Sequence, residues 1–145
     1  MLPLPLTALI IFLSSLVGLG TGQTAKVILT YPPLVQVSLP GPPSTCKVGV
    51  EFFDANSNLV NAQTVSLVPG QSAQVTFTRA QLGGPPSAIH PLFWAEAGLI
   101  DNCNGDPNCD LTQCNIVATG EQADSSGSSD LMDNLRRLFS FNTAT

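Results

Sequence analysis

Charge is scarce in this chain, and positive charge scarcest: five residues are Lys or Arg and ten are Asp or Glu, for a formal charge of −5. An acidic surface does not attract polyanions, which excludes an electrostatic footprint for nucleic acid or anionic lipid. Histidine occurs once, as His90, so no second imidazole stands at metal-binding spacing from it. A C-x-x-C dithiol is missing, and with it the thioredoxin-like motif. No G-x-S-x-G elbow is present to carry a serine nucleophile. Glu96 and Asp101 lie at a strand end and read as solvated charges rather than a glycosidase pair. These absences leave no cofactor to expect.

Charge is missing altogether from the first 25 residues, where apolar runs extend from Ala8 to Leu13 and from Leu16 to Leu19. That pattern predicts a secretory signal peptide over residues 1–22, with the α-amino group of Met1 as its only positive charge. Small residues at Gly18, Gly20 and Gly22 suit cleavage after Gly22, and Ala25 offers a second bond. The competing reading is an uncleaved anchor, since Leu4 to Leu19 is slightly short of the ~20 residues that span a bilayer. Membrane contact is expected only through such an uncleaved leader. The expected location is outside the cell or on its surface, and about 120 residues remain for one domain.

Beyond the leader the sequence alternates between short apolar segments and Pro, Gly and Asn breakers. Segments begin at Lys26 (KVILT) and Leu34 (LVQVSL), separated by Pro32-Pro33. In CKVGVEFFD, Cys46, Val48, Val50 and Phe52 fall on one face and Lys47, Gly49 and Glu51 on the other, the mark of a half-buried strand. Asp54 to Asn58 is a turn, and LVNAQTVSLV returns as the second arm of a hairpin. Pro69-Gly70 suits a type II turn before AQVTFT. AIHPLFWAEAGLI contains Pro91, which suggests an edge or a bulge. CNIVATGE is the last strand. Six or seven such strands predict an all-β sandwich over residues 26–120, with a small closed barrel as the alternative.

Residues 121–128 read as a Ser/Gly-rich linker. Residues 129–141 follow as a short amphipathic helix, with Leu131, Leu135 and Leu138 on one face and Arg136 and Arg137 near its C-terminus. A helix of this length is marginal alone, so it either docks on the sandwich or binds something else.

The stretch from Val48 to Thr78, VGVEFFDANSNLVNAQTVSLVPGQSAQVTFT, resembles small immunoglobulin-like modules of bacterial exported and surface proteins, including the type called CARDB. Val50, Phe52, Asp54, Val60, Thr64, Val65, Leu67, Pro69, Gly70, Gln71, Ser72, Val75 and Phe77 carry the likeness. The resemblance implies a sandwich fold, an exported setting and a spacer, adhesive or stalk role without catalysis. The four cysteines and the helical tail depart from the pattern.

The densest chemistry lies in CNGDPNCDLTQC, residues 103–114. Its spacings do not suit zinc, which favours paired C-x2-C ligands. Calcium takes six to eight oxygens, and Asn104, Asp106 and Asp110, flanked by Asn102 and Asn108, form a candidate set. The loop lacks the bidentate Glu of an EF-hand. Behind an export signal, four cysteines most simply make two disulfides. The favoured pairs are Cys46 with Cys114 and Cys103 with Cys109, with Cys109–Cys114 as competitor. Trp94 is either core or a ring exposed to a sugar, and its neighbour Phe93 must face the opposite way. The expected function is a secreted, disulfide-stabilised, non-catalytic module whose partner is an extracellular protein or glycan. The alternative is a small secreted enzyme or redox or metal factor using the Cys103–Cys114 loop.

Overall fold

Alternation along the strands resolves into two antiparallel sheets. The computed structural model describes residues 9–20, 22–34, 39–82 and 91–123. Its strands are β1 (Leu9–Leu13), β2 (Val17–Gly18), β3 (Thr24–Thr30), β4 (Cys46–Asp54), β5 (Leu59–Leu67), β6 (Ser72–Thr78), β7 (Leu92–Ile100) and β8 (Val117–Ala123). A single helical turn, α1 (Arg79–Leu82), follows β6, and a 3-10 turn spans Leu111–Gln113. Sheet A has the order β1-β7-β4-β5, with β2 also on β7; sheet B has the order β6-β3-β8.

The core lies between the sheets. Cys46, Val48, Val50 and Phe52 of β4, and Phe93, Ala95, Ala97 and Leu99 of β7, meet Ala25, Val27 and Leu29 of β3 and Val75 and Phe77 of β6. Phe52 and Phe77 stack across the gap with ring centroids 4.6 Å apart and planes within 7°. Phe93 tilts against both, at 6.3 and 5.5 Å. Aromatic pairs of this kind add about 0.5–1.5 kcal/mol beyond the area they bury.

The turns follow from their residues. Asp54 Oδ1 accepts the backbone N–H groups of Asn56 and Asn58, each at 2.9 Å, and closes the β4–β5 hairpin. Gly70 takes φ +90°, which glycine adopts without Cβ strain, while the Gln71 N–H donates to the Val68 carbonyl at 3.1 Å. That is the type II turn expected at Pro69-Gly70. Tyr31 is wholly buried at the end of β3, where its N–H donates to the Gln71 carbonyl and its own carbonyl accepts from Gly70.

Two expectations change. Pro91 does not mark an edge: it precedes β7, which is flanked by β1 and β4, and its carbonyl accepts the Leu19 N–H at 3.0 Å. The last strand continues through Glu121 to Ala123, held in register on β3 with Lys26 opposite Glu121, so the segment read as linker begins later. Residues within the segment expected as a leader form β1 and β2 in this structure. Phe12 sits opposite Ala97, Ile11 occupies an irregularity in the pairing, and Ile11, Phe12 and Leu19 are wholly buried. The buried Gln122 side chain donates to the Gly18 carbonyl. The LVQVSL segment falls largely on residues 35–38, and the amphipathic helix on residues 129–141, both outside the described residues. No helix among the described residues is long and apolar enough to cross a membrane.

Large apolar side chains contribute about 1.5–3 kcal/mol each when buried, against a typical domain stability of about 5–15 kcal/mol. A chain beginning at Gln23 loses Ile11, Phe12 and Leu19 together. Its urea midpoint is therefore expected well below that of the full chain. An unchanged midpoint would show that the two N-terminal strands do not contribute to the folded domain.

Candidate functional site

Beyond Ile100 the chain enters a loop shaped by its own carboxylates. Asp101 Oδ1 accepts the Cys103 N–H at 3.0 Å, and Asp106 Oδ1 accepts the Asn108 N–H at 2.9 Å. Asp110 caps the 3-10 turn, accepting the Thr112 N–H at 3.0 Å and its hydroxyl at 2.7 Å. Asn104 and Gly105, both at positive φ, reverse the chain. The loop is tied to the β3–β4 connection: the Gly41 N–H donates to the Asn108 carbonyl at 2.9 Å, and the Asp110 N–H donates to the Gly41 carbonyl at 2.7 Å. Asn102 Nδ2 donates to the Thr45 carbonyl at 2.8 Å.

Cys103 and Cys109 form one disulfide across this loop, with Cα atoms 5.5 Å apart. Cys46 and Cys114 form the other, with Cα atoms 6.1 Å apart and both residues fully buried. This second bond joins the start of β4 in sheet A to the approach to β8 in sheet B. All four cysteines are thereby bonded and no thiol is free. The thiolate that nucleophilic or metal-binding cysteine chemistry requires is not supplied in this state. The calcium candidates Asp106 and Asp110 each spend an oxygen on the backbone, and Asn104 turns the chain. Among the described residues no group of three His, Cys, Asp or Glu side chains is placed to hold a metal ion. His90 lies outside the described residues.

A second constellation forms on the outer face of sheet A. Because Phe52 and Phe93 point into the core, their neighbours Phe53 and Trp94 must point out. The two are cross-strand partners and stack with centroids 4.2 Å apart and planes within 14°. Two residues along, Glu51 stands directly opposite Glu96. An aromatic pair and a carboxylate pair thus share one face, bordered by Leu13, which is 38% exposed. Burial pushes the Glu96 carboxyl above its usual range. The sequence had singled out Trp94, but set Glu96 beside Asp101; the register instead sets it beside Glu51. The signal for Phe53 was available in the doubled aromatics, Phe52-Phe53 on β4 and Phe93-Trp94 on β7.

Two predictions follow from the loop and turn geometry. In the chain-entropy account, removing the Cys46–Cys114 bond costs about 4 kcal/mol and removing Cys103–Cys109 about 2 kcal/mol. Paired Cys→Ala variants are expected to rank in that order in urea unfolding, and the reverse ranking would contradict the loop-length argument. For pH, the Asn58 N–H and side-chain amide, with the Asn56 N–H, hold Asp54 below the usual carboxylate range. The Thr112 hydroxyl and N–H do the same for Asp110. A lowered folded pKa gives stability that is present above the unfolded value near 3.8 and lost as pH falls through the folded values. The double variant Asp54→Asn/Asp110→Asn should therefore show a flatter acid limb in thermal unfolding below pH ~4. No protein-family model, curated protein or solved structure matches this chain.

Proposed function

We propose that this protein is an exported, non-catalytic immunoglobulin-like module that binds an extracellular protein or glycan through the outer face of sheet A. The observation that carries the reading is that all four cysteines close as two disulfides within one small β-sheet domain. Such bonds persist in oxidising compartments and are uncommon where thiols are kept reduced. The loop that holds most of the cysteines spends its polar groups on its own turns, which suits a staple rather than a reactive centre.

The strand order supports the immunoglobulin-like assignment. The pairs β3–β6 and β4–β7, on opposite sheets, correspond to the B–E and C–F pairs of that fold. The terminal strands depart from it: β8 lies beside β3, where the first strand belongs, and β1 lies beside β7, where the last belongs. The hairpin from Val48 to Thr78 that resembles CARDB-type modules supplies β4, β5 and β6. Trp94, half-buried on Phe53, offers a ring face of the kind that sugars and peptide side chains stack on.

Export by the apolar N-terminal segment and its use as β1 and β2 are alternative fates of the same residues. One experiment reads both: the native protein is fractionated, and its intact mass is taken without reductant, with and without an alkylating reagent. The expected result is an extracytoplasmic protein that takes up no alkyl group, with a mass lowered by the hydrogens of two disulfides. Its mass also fixes the retained N-terminus. A cytoplasmic protein with alkylatable thiols would overturn the proposal.

A further inference from the structure

We infer that the β7 edge of sheet A is a strand-acceptor site: once the apolar N-terminal segment is removed on export, an extended, uncharged apolar segment of another protein chain takes its place. The inference rests on the exported reading above and concerns a surface other than the outer face of sheet A. In this structure β1 and β2 fill the edge, and the way they fill it defines the ligand. β1 runs antiparallel to Glu96–Leu99, and Val17-Gly18 to Leu92-Phe93. Between the two strands the pairing does not lapse. The Ser14 N–H donates to the Ala95 carbonyl at 2.9 Å, and the Ala95 N–H donates to the Ser14 hydroxyl at 2.8 Å. The Leu19 N–H donates to the Pro91 carbonyl at 3.0 Å. The N-terminal segment thus follows β7 from Pro91 to Leu99.

The inward residues at the middle of β7 are small, Ala95 and Ala97, and large side chains of the N-terminal segment fill the space beside them. Phe12 stands opposite Ala97, and Ile11, Phe12 and Leu19 are wholly buried. The segment also touches β8, so it closes the seam between the edge of sheet A and the edge of sheet B. Residues 9–20 hold no Lys, Arg, Asp or Glu, and a charge in place of Ile11 or Phe12 would be buried without a partner. Cleavage after Gly22, the bond expected from the leader pattern, removes all of this and keeps β3 to β8 and both disulfides in the chain. It turns β7, now flanked by β1 and β4, into an edge strand with neither Pro nor Lys to guard it. An apolar edge of that kind is a template for another strand. Main-chain pairing then supplies affinity, and pockets for alternate side chains supply selectivity. The segment that fits carries large apolar residues in the places of Ile11, Phe12 and Leu19, and a Ser or Thr in the place of Ser14.

The probe is a synthetic peptide of residues 9–20 carrying a fluorophore and a lysine tag for solubility. It is offered to the native protein and to a full chain with a specific protease site inserted between Thr21 and Gly22, before and after cutting. Circular dichroism checks that the inserted chain folds, and the native protein keeps the test open where it does not. In the uncut chain the tethered segment competes at an effective concentration on the order of millimolar, which excludes micromolar peptide. The native protein, and the cut chain by exchange with its severed piece, should take up at least about tenfold more peptide than the uncut chain. A Phe12→Asp peptide should bind roughly a hundredfold more weakly. No uptake by either protein would overturn the inference, because the edge is then closed or covered by another part of the chain. Equal uptake of the Phe12→Asp peptide would overturn it as adsorption without a site. The mass of the native N-terminus separates these failures from failure of the exported reading: a native chain that begins at Met1 keeps its own strands and overturns the inference at the processing step, whatever the cut chain does.

Discussion

The stack of Phe52 on Phe77 ties the two sheets together, and the facing of β4 depends on it. With Phe93 tilted against both rings, it joins the sheets through large flat surfaces. Because side chains alternate along a strand, Phe52 inside obliges Glu51 and Phe53 to be outside. The register with β7 then determines what they meet: Trp94 opposite Phe53, and Glu96 opposite Glu51. A slip of one residue would turn Val48, Val50 and Phe52 to the outer face and set Lys47 and Glu51 against sheet B. The inner core and the outer constellation are therefore two results of one constraint.

The covalent and polar features of the 101–114 loop divide the work differently. Hydrogen bonds from Asp101, Asp106 and Asp110 set the local turns, and each is exposed and individually modest. The disulfides hold what those turns cannot, the distance between elements remote in sequence. Cys46–Cys114 acts between the sheets, while Cys103–Cys109 acts within the loop. Local turns and long-range ties together thus shape this largely polar segment.

Much of the fold was legible because it rests on local signals. The β4–β5–β6 hairpins are written in alternation and in Asp54 and Gly70, and both disulfides could be placed from where their cysteines fall relative to the strands. What escaped the sequence reading depends on neighbours. The N-terminal run reads as a leader because a buried strand and a signal peptide share the same apolar composition, and its pairing with β7 is a long-range contact that composition does not carry. Pro91 suggested an edge, but its missing N–H lies just outside the ladder. Glu121 to Ala123 looked like linker because an outer strand on one face of a small sheet can be polar. Alternation set Glu51 on the polar side of β4 but gave no hint that this side is also shielded. The outer face of sheet A was thus half visible: Trp94 and Glu96 were marked, while their pairing with Phe53 and Glu51 needed the register. The proposed helix at residues 129–141 lies outside the described residues.

The bond between Cys46 and Cys114 also sets a mechanical limit. It encloses a sequence separation of 68 residues, including β4, β5, β6 and β7. A pull applied through the two ends of the chain passes across the sulfur bridge and never loads that enclosed segment. Stretching can peel β1, β2, β3 and β8 away, but the enclosed contour, about 230 Å at full extension, stays locked until the bond is reduced. Under such a pull the domain would act as a link of limited extensibility, yielding at its terminal strands while the enclosed segment stays out of the load path.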